Sequence, residues 1–312
     1  MAHCSLVGLP SRSRFWRRVT MDLHVVELRS TNRATRGETP RELDSFRQSG
    51  VYDVAEGAIS YARPWVEDSE FLDDPVDTLG LMCGRIADEV AAGFAAGEHV
   101  VIAGGNCGAL PGVIGGLQQA KGSTARIGLV WFDAHGDFNT PKTTLSGMLG
   151  GMPVAVIAGL CYPKWRIGAH QEVALPTDRI IMVDVRNLDP AEKQLVDATA
   201  VEVVPVSGPK LSEAVQALAD KTDLIYLHID LDILDESLTP SHGTKEPNGP
   251  DMATTVAAVQ TVLDTGKVEA VGLVSVYPVG EGGDTSLQSG TELLREMIRR
   301  WAVSKNAAVA AD

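Results

Sequence analysis

The residues best equipped for chemistry lie in Asp133-Ala134-His135-Gly136-Asp137, the polar end of an apolar run that begins at Ile127. Ile127-Gly128-Leu129-Val130-Trp131-Phe132 is short and has no polar alternation, which suits a strand buried on both faces of a parallel sheet. Beyond it two carboxylates and an imidazole follow at i, i+2 and i+4, and in extended chain those side chains point the same way. Oxygen and nitrogen donors converging past a strand's carboxyl end suit a hard or borderline divalent cation. For this stretch alone, the alternative is a helix-capping aspartate beside a satisfied loop histidine.

A second stretch, Asp223 to Asp232, is another apolar strand ending in Asp230-Leu231-Asp232, again an i, i+2 pair on one side. Asp-x-Asp is common in turns, but two buried-type strands with same-side carboxylates are harder to dismiss, because unpaired buried carboxylates are costly. With the strands side by side, Asp133, His135, Asp137, Asp230 and Asp232 suffice to bridge two cations. Such a pair can activate a water and hold it against an electrophilic carbon or phosphorus.

Strand and helix alternate around these motifs. Leu23 to Leu28, Val100 to Ala103, Arg179 to Val185, Val201 to Val206 and Val268 to Val276 read as further strands. Helical spacing marks Asp77 to Gly97, Asp251 to Thr265 and a closing amphipathic helix from Ser286 to Val303. Asp189-Pro190 has the form of an N-cap followed by proline at the first helical position. Residues 30–75, rich in charge, Gly and Pro, read as loop around the mouth of a site. The pattern predicts an α/β fold: three αβα layers around one doubly wound, mostly parallel sheet, with the ligand beyond the strands' carboxyl ends.

At 312 residues the chain can bury a substantial core. A net charge of −14 argues against general nucleic-acid binding but leaves open a small cationic substrate steered by local field. Cys4, Cys83, Cys107 and Cys161 are widely spaced and form no C-x-x-C, which fits a reducing, cytoplasmic setting. The longest apolar stretch, around Met152 to Tyr162, is too short to span a bilayer, so no membrane partner is expected. Residues 1–20 carry four arginines and no acid and read as a transit segment or as leader ahead of Met21; residues 21–312 read as one domain.

In this order the motifs resemble the ureohydrolase family of arginases and agmatinases, through Gly104-Gly105-Asn106-Cys107, Asp133 to Asp137, Asp230 to Asp235 and His242-Gly243-Thr244. The resemblance implies an arginase-like enzyme with two manganese ions that hydrolyses a guanidino group, through a hydroxide bridging both ions. It implies that Asp133 and Asp230 bridge the metals, that Asp137 joins one ion, and that His135 and Asp232 join the other. Asn139, Ser146 and Asp189 fall where arginase meets the α-carboxylate and α-amino ends of its substrate; Asn139 and Ser146 read equally well as loop or cap residues. Family members tend to form homo-oligomers.

Three positions depart from the family. A metal-ligating histidine is replaced by Cys107, a possible ligand whose sulfur favours zinc over manganese and would weaken one of the two sites, or else a plain buried thiol. The proton-relay histidine aligns with Gly150. The glutamate that anchors the guanidinium aligns with Ser275, which brings no charge, and Glu246 stands near enough in sequence to substitute or to be a solvated loop acid. These departures favour a modified guanidino amino acid, best Nω-hydroxy-L-arginine yielding hydroxyurea and ornithine, because a hydroxylated guanidine is less basic. The alternatives are an ordinary arginase or agmatinase, a non-catalytic binding protein on the same fold, and a metal-dependent phosphoesterase.

Overall fold

The computed structural model describes residues 20–30 and 40–309. The proposed leader, residues 1–20, lies outside them except for Thr20. Eight strands form one sheet: β1 (Met21–Leu28), β2 (Glu56–Ala62), β3 (His99–Gly104), β4 (Ile127–Phe132), β5 (Ile180–Val183), β6 (Glu202–Val204), β7 (Leu224–Asp230) and β8 (Val268–Val274). Their order is β2-β1-β3-β8-β7-β4-β5-β6, and every pairing is parallel. The four central neighbours β3, β8, β7 and β4 are the strands that end in the chemically equipped residues. β4 and β7 are buried along their whole length, as expected of uninterrupted apolar runs covered on both faces.

Nine helices are described: α1 (Arg41–Gln48), α2 (Pro75–Ala95), α3 (Leu110–Lys121), α4 (Pro153–Ile157), α5 (Pro163–Gly168), α6 (Pro190–Asp197), α7 (Pro209–Lys221), α8 (Met252–Leu263) and α9 (Gly283–Val309). Helices α1, α7, α8 and α9 pack their apolar stripes on one face of the sheet, where Leu43, Phe46, Leu218, Val259, Met297 and Trp301 are buried. On the other face α2, α3, α4 and α6 bury Ile86, Val90, Leu110, Ile114, Val154 and Val196. Acidic caps open several helices: Asp74 accepts from Val76 N, Asp251 accepts from Thr254 N, and Asp189 forms a reciprocal capping box with Glu192. No described helix is long and apolar enough to cross a membrane.

The stretch 30–75, expected as loop, instead holds α1 and the edge strand β2. Both escape an apolar-run reading for the same reason. Helix α1 buries only Leu43 and Phe46, and β2 leaves most of its residues partly or fully exposed at the sheet edge.

Candidate metal centre

Sheet register delivers the site. Phe132 pairs with Ile229, so the residues that follow, Asp133 and Asp230, leave the sheet abreast of each other. Each begins a tight side-chain turn: Asp133 Oδ1 accepts from His135 N at 2.6 Å, and Asp230 Oδ1 accepts from Asp232 N at 3.0 Å. Ala134 N donates across to Asp232 Oδ1 at 3.2 Å and ties the two loops together. At the end of β3, Gly104 and Gly105 take positive φ (76° and 73°), a turn that a side chain would strain. A Cβ on Gly104 would also lie 2.8 Å from Leu43 Cδ2 and 3.0 Å from Leu28 O. This turn places Cys107 over the carboxylates. From β8, Ser275 N donates to Gly105 O, and Ser275 Oγ donates to Asp230 Oδ2 at 2.5 Å.

Three overlapping groups of donor atoms result: Cys107, Asp133 and Asp230; Asp133, His135 and Asp232; and Asp230, Asp232 and His242. In the first, Cys107 Sγ lies 2.9 Å from Asp230 Oδ2 and 3.6 Å from Asp133 Oδ2. In the second, His135 Nδ1 lies 3.4 Å from Asp133 Oδ1 and 3.1 Å from Asp232 Oδ2. In the third, His242 Nε2 lies 3.4 Å from Asp230 Oδ1. Asp137 is buried but enters none of the three groups. β4 stops at Phe132 and Asp137 has φ 45°, so the segment is not extended and the i, i+2, i+4 rule lapses before its third member.

These residues fit a pair of divalent cations. Asp133, Asp230 and Asp232 are only 2–4 % exposed, and among the described residues their ion-pair partners are His135 and His242 alone. Burial and the neighbouring charges of Asp232 and Asp230 hold the Asp133 carboxyl well above the usual range; burial does the same to Asp137. Burial, then the charges of Asp230, Asp137 and Asp133, push the Cys107 thiol up. His135 is raised to about 12, burial being outweighed by Asp133 and Asp232. Asp230 moves the other way, below its ordinary value, because His242, the Asp232 amide and Cys107 outweigh its burial. A site that must hold extra protons to tolerate its own carboxylates is one that a cation would relieve. His242 has a different role. Thr244 N–H donates to its Nδ1 at 3.2 Å, which leaves the ring proton on Nε2, turned to Asp230 Oδ1 at 3.4 Å. In this tautomer the ring faces the carboxylate as a donor and not as a cation ligand.

Of the residues expected at the substrate end, Asn139 and Ser146 lie on the adjoining loop, and Asp189 meets that loop from the start of α6. Asp189, capping α6, accepts from Asn139 Nδ2 at 3.2 Å and from Leu145 N at 3.0 Å. Thr143 Oγ1 donates to Asn139 Oδ1, while Ser146 is exposed and accepts from Met148 N within its own turn. Glu246 Oε1 lies 3.3 Å from His135 Nε2. Two residues escaped the sequence reading. His242 was visible only as part of a His-Gly-Thr block. His228 stands two before Asp230 on the same strand face, a spacing that marks it in retrospect. It stacks on Trp131 at 4.0 Å, pairs its Nδ1 with Tyr226 Oη at 3.0 Å, and sets Nε2 3.6 Å from Cys107 Sγ.

A three-layer parallel α/β sheet with carboxylate and imidazole groups beyond its central strands is the layout of a metal-dependent hydrolase. Residues 2–299 match the family described as "Arginase family", and the chain belongs to that family. Its members are metal-dependent hydrolases of amidine and guanidino C–N bonds, and the chain is an enzyme of this class. It is 28% identical over 239 residues to the arginase of Brucella melitensis, covering 73% of this chain and 72% of that protein. The arginase of Bacillus caldovelox superposes with a TM-score of 0.76 at 21% identity, covering 90% of this chain and 98% of the other. Formimidoylglutamase from Bacillus subtilis superposes with a TM-score of 0.70 at 17% identity, covering 93% and 89%, so the fold is shared beyond arginases.

Proposed function

We propose that the protein is a manganese-dependent hydrolase of an arginine-like guanidino substrate, with Nω-hydroxy-L-arginine as substrate and hydroxyurea and ornithine as products. The observation that carries the reading is Ser275. It stands where the resemblance puts a guanidinium-anchoring glutamate, it is buried, and its hydroxyl is committed to Asp230 Oδ2 at 2.5 Å. That position offers a strongly basic guanidinium no charge. A hydroxylated guanidine, being less basic, needs the anchor less.

Two bound ions would supply a water made nucleophilic near neutral pH and a positive field at the guanidino group. Asp133, Asp230 and Asp232 each belong to two donor groups, and of these the family resemblance makes Asp133 and Asp230 the carboxylates shared between ions. His135 and Asp232 would hold one ion; Asp137 and Cys107 would complete the other. Ser275 and the Asp232 amide fix both oxygens of Asp230. Asp137 Oδ1 faces the turn carrying Gly150, lying 3.9 Å from where a Cβ on Gly151 would sit. It is the ionisable group beside the place of the missing relay histidine, and we assign it the proton transfer to the departing amine. Asn139 and Ser146 sit on the loop assigned to the amino-acid end of the substrate, and Asp189, capping α6, is hydrogen-bonded to that loop. The cytoplasmic setting rests on the scattered cysteines, and homo-oligomerisation on the family's tendency.

The test is turnover of L-arginine, agmatine and Nω-hydroxy-L-arginine by the manganese-loaded protein, reading urea and hydroxyurea separately. The expected result is a kcat/KM for the hydroxylated substrate at least about tenfold above that for arginine, a difference of about 1.4 kcal/mol in transition-state binding. Equal or faster arginine turnover would establish the second reading, an ordinary arginase, which the curated relatives named arginase favour. Loaded protein that turns over none of the three would point to the binding-protein alternative.

A further inference from the structure

The two ring nitrogens of His135 face opposite ways. Nδ1 looks onto Asp133 and Asp232, whereas Nε2 looks outward to Glu246 Oε1 at 3.3 Å. An imidazole that gives its Nδ1 lone pair to a cation carries its proton on Nε2, and that proton needs an acceptor. Glu246 is held in place for the purpose: Asn187 Nδ2 donates to the same Oε1 at 2.5 Å. The backbone under both groups is locked as well. His135 and Asn187 form a parallel bridge, and Ala134 O accepts from Arg186 N at 2.9 Å and Asn187 N at 3.0 Å. The Arg186 guanidinium donates to the carbonyls of Asp232, Ile233, Glu246 and Pro247 at 3.0–3.3 Å. The loops after β4, β5 and β7 are thus clasped around one ring.

We propose that Glu246, supported by Asn187, is a positioning residue that fixes the orientation and tautomer of His135 as a metal ligand, and does not anchor the guanidinium. The inference rests on the metal-site reading above and assigns a residue to it that the family resemblance does not. Its carboxylate is spent on the outer side of the ring, so its loss acts on the metal and not on substrate affinity.

The experiment compares wild type, Glu246→Ala and Glu246→Gln, each full-length. Manganese per chain is measured by elemental analysis after dialysis against graded free manganese, and KM and kcat are measured at saturating manganese. Glu246→Ala is expected to weaken retention of one ion about 10- to 100-fold while KM at saturating metal stays as in wild type. Glu246→Gln keeps a carbonyl oxygen able to accept from both His135 and Asn187 and is expected to recover most of the retention. Unchanged manganese binding with a raised KM in Glu246→Ala would overturn the proposal and make Glu246 the substrate anchor. Equal loss in the Gln and Ala variants would overturn the hydrogen-bond argument. A wild type that retains no divalent ion would overturn the metal site itself, a failure distinct from either.

Discussion

Replacing Asp133 by asparagine separates what the site costs the fold from what it gives the metal. Asp133 belongs to two of the three donor groups, and the substitution keeps the side chain's shape and the Oδ1 that accepts from His135 N. Each ion present at 100 times its dissociation constant, binding only folded protein, stabilises by about 2.7 kcal/mol. Two such ions contribute roughly 5 kcal/mol, and at about 2 °C per kcal/mol for a chain of this length, loading raises the wild-type Tm by roughly 10 °C. The Asp133→Asn variant would take from both ions one of the two carboxylates they share, so the increment should fall below about 3 °C, and turnover should vanish. The metal-free protein should respond in the opposite direction. Asp133 carries a raised pKa because burial and the charges of Asp232 and Asp230 disfavour its ionised form, so a neutral amide relieves a penalty near pH 7. The assay is calorimetric melting of chelator-treated and manganese-loaded protein, wild type against variant, with guanidino turnover alongside. An Asp133→Asn protein that kept the full metal increment and near-normal turnover would refute the two-strand site.

Three further outcomes follow from the same geometry. Cys107→His should raise manganese retention where Cys107, Asp133 and Asp230 meet, since manganese prefers nitrogen to sulfur, while arginine turnover stays low because Ser275 and Gly150 are unchanged; unaltered metal content by elemental analysis would place Cys107 outside the coordination sphere. Asp230→Ala should abolish turnover and most metal binding, and do so more completely than Asp137→Ala, measured by the same analysis. The metal-free Tm should fall as pH rises from about 5 to about 8 and the metal-loaded Tm should vary less. The folded site holds more protons than the unfolded chain at Asp133 and Asp137 above about pH 4, and at His135 above about pH 6.5, and stability is lost where the unfolded state binds fewer. Asp230, shifted downward, opposes this only below about pH 4. A metal-free Tm that rose over this interval would show the cluster to be already neutralised.

How much of this was legible depends on how far apart in the chain the partners lie. β4 and β7 announce themselves because central parallel strands are apolar on both faces, and their terminal carboxylates stand out against those runs. Among the described residues the edge strand β2 pairs only with β1 and faces solvent, so its composition carries no such mark. The extended-chain rule applies to Asp133 and His135 and lapses at Asp137, where φ turns positive once the strand has ended. The same i, i+2 rule run backwards from Asp230 reaches His228, which the interior of an apolar strand conceals as a packing residue. The roles of Glu246, Asn187 and Arg186 are of another kind. Glu246 lies 111 residues from His135, and only the seating of β4 between β7 and β5 brings the three loops together. Spacing along the chain encodes which side chains can share a strand end. Sheet order decides which strand ends share a site, and therefore whether a loop carboxylate meets the substrate or the back of a metal ligand.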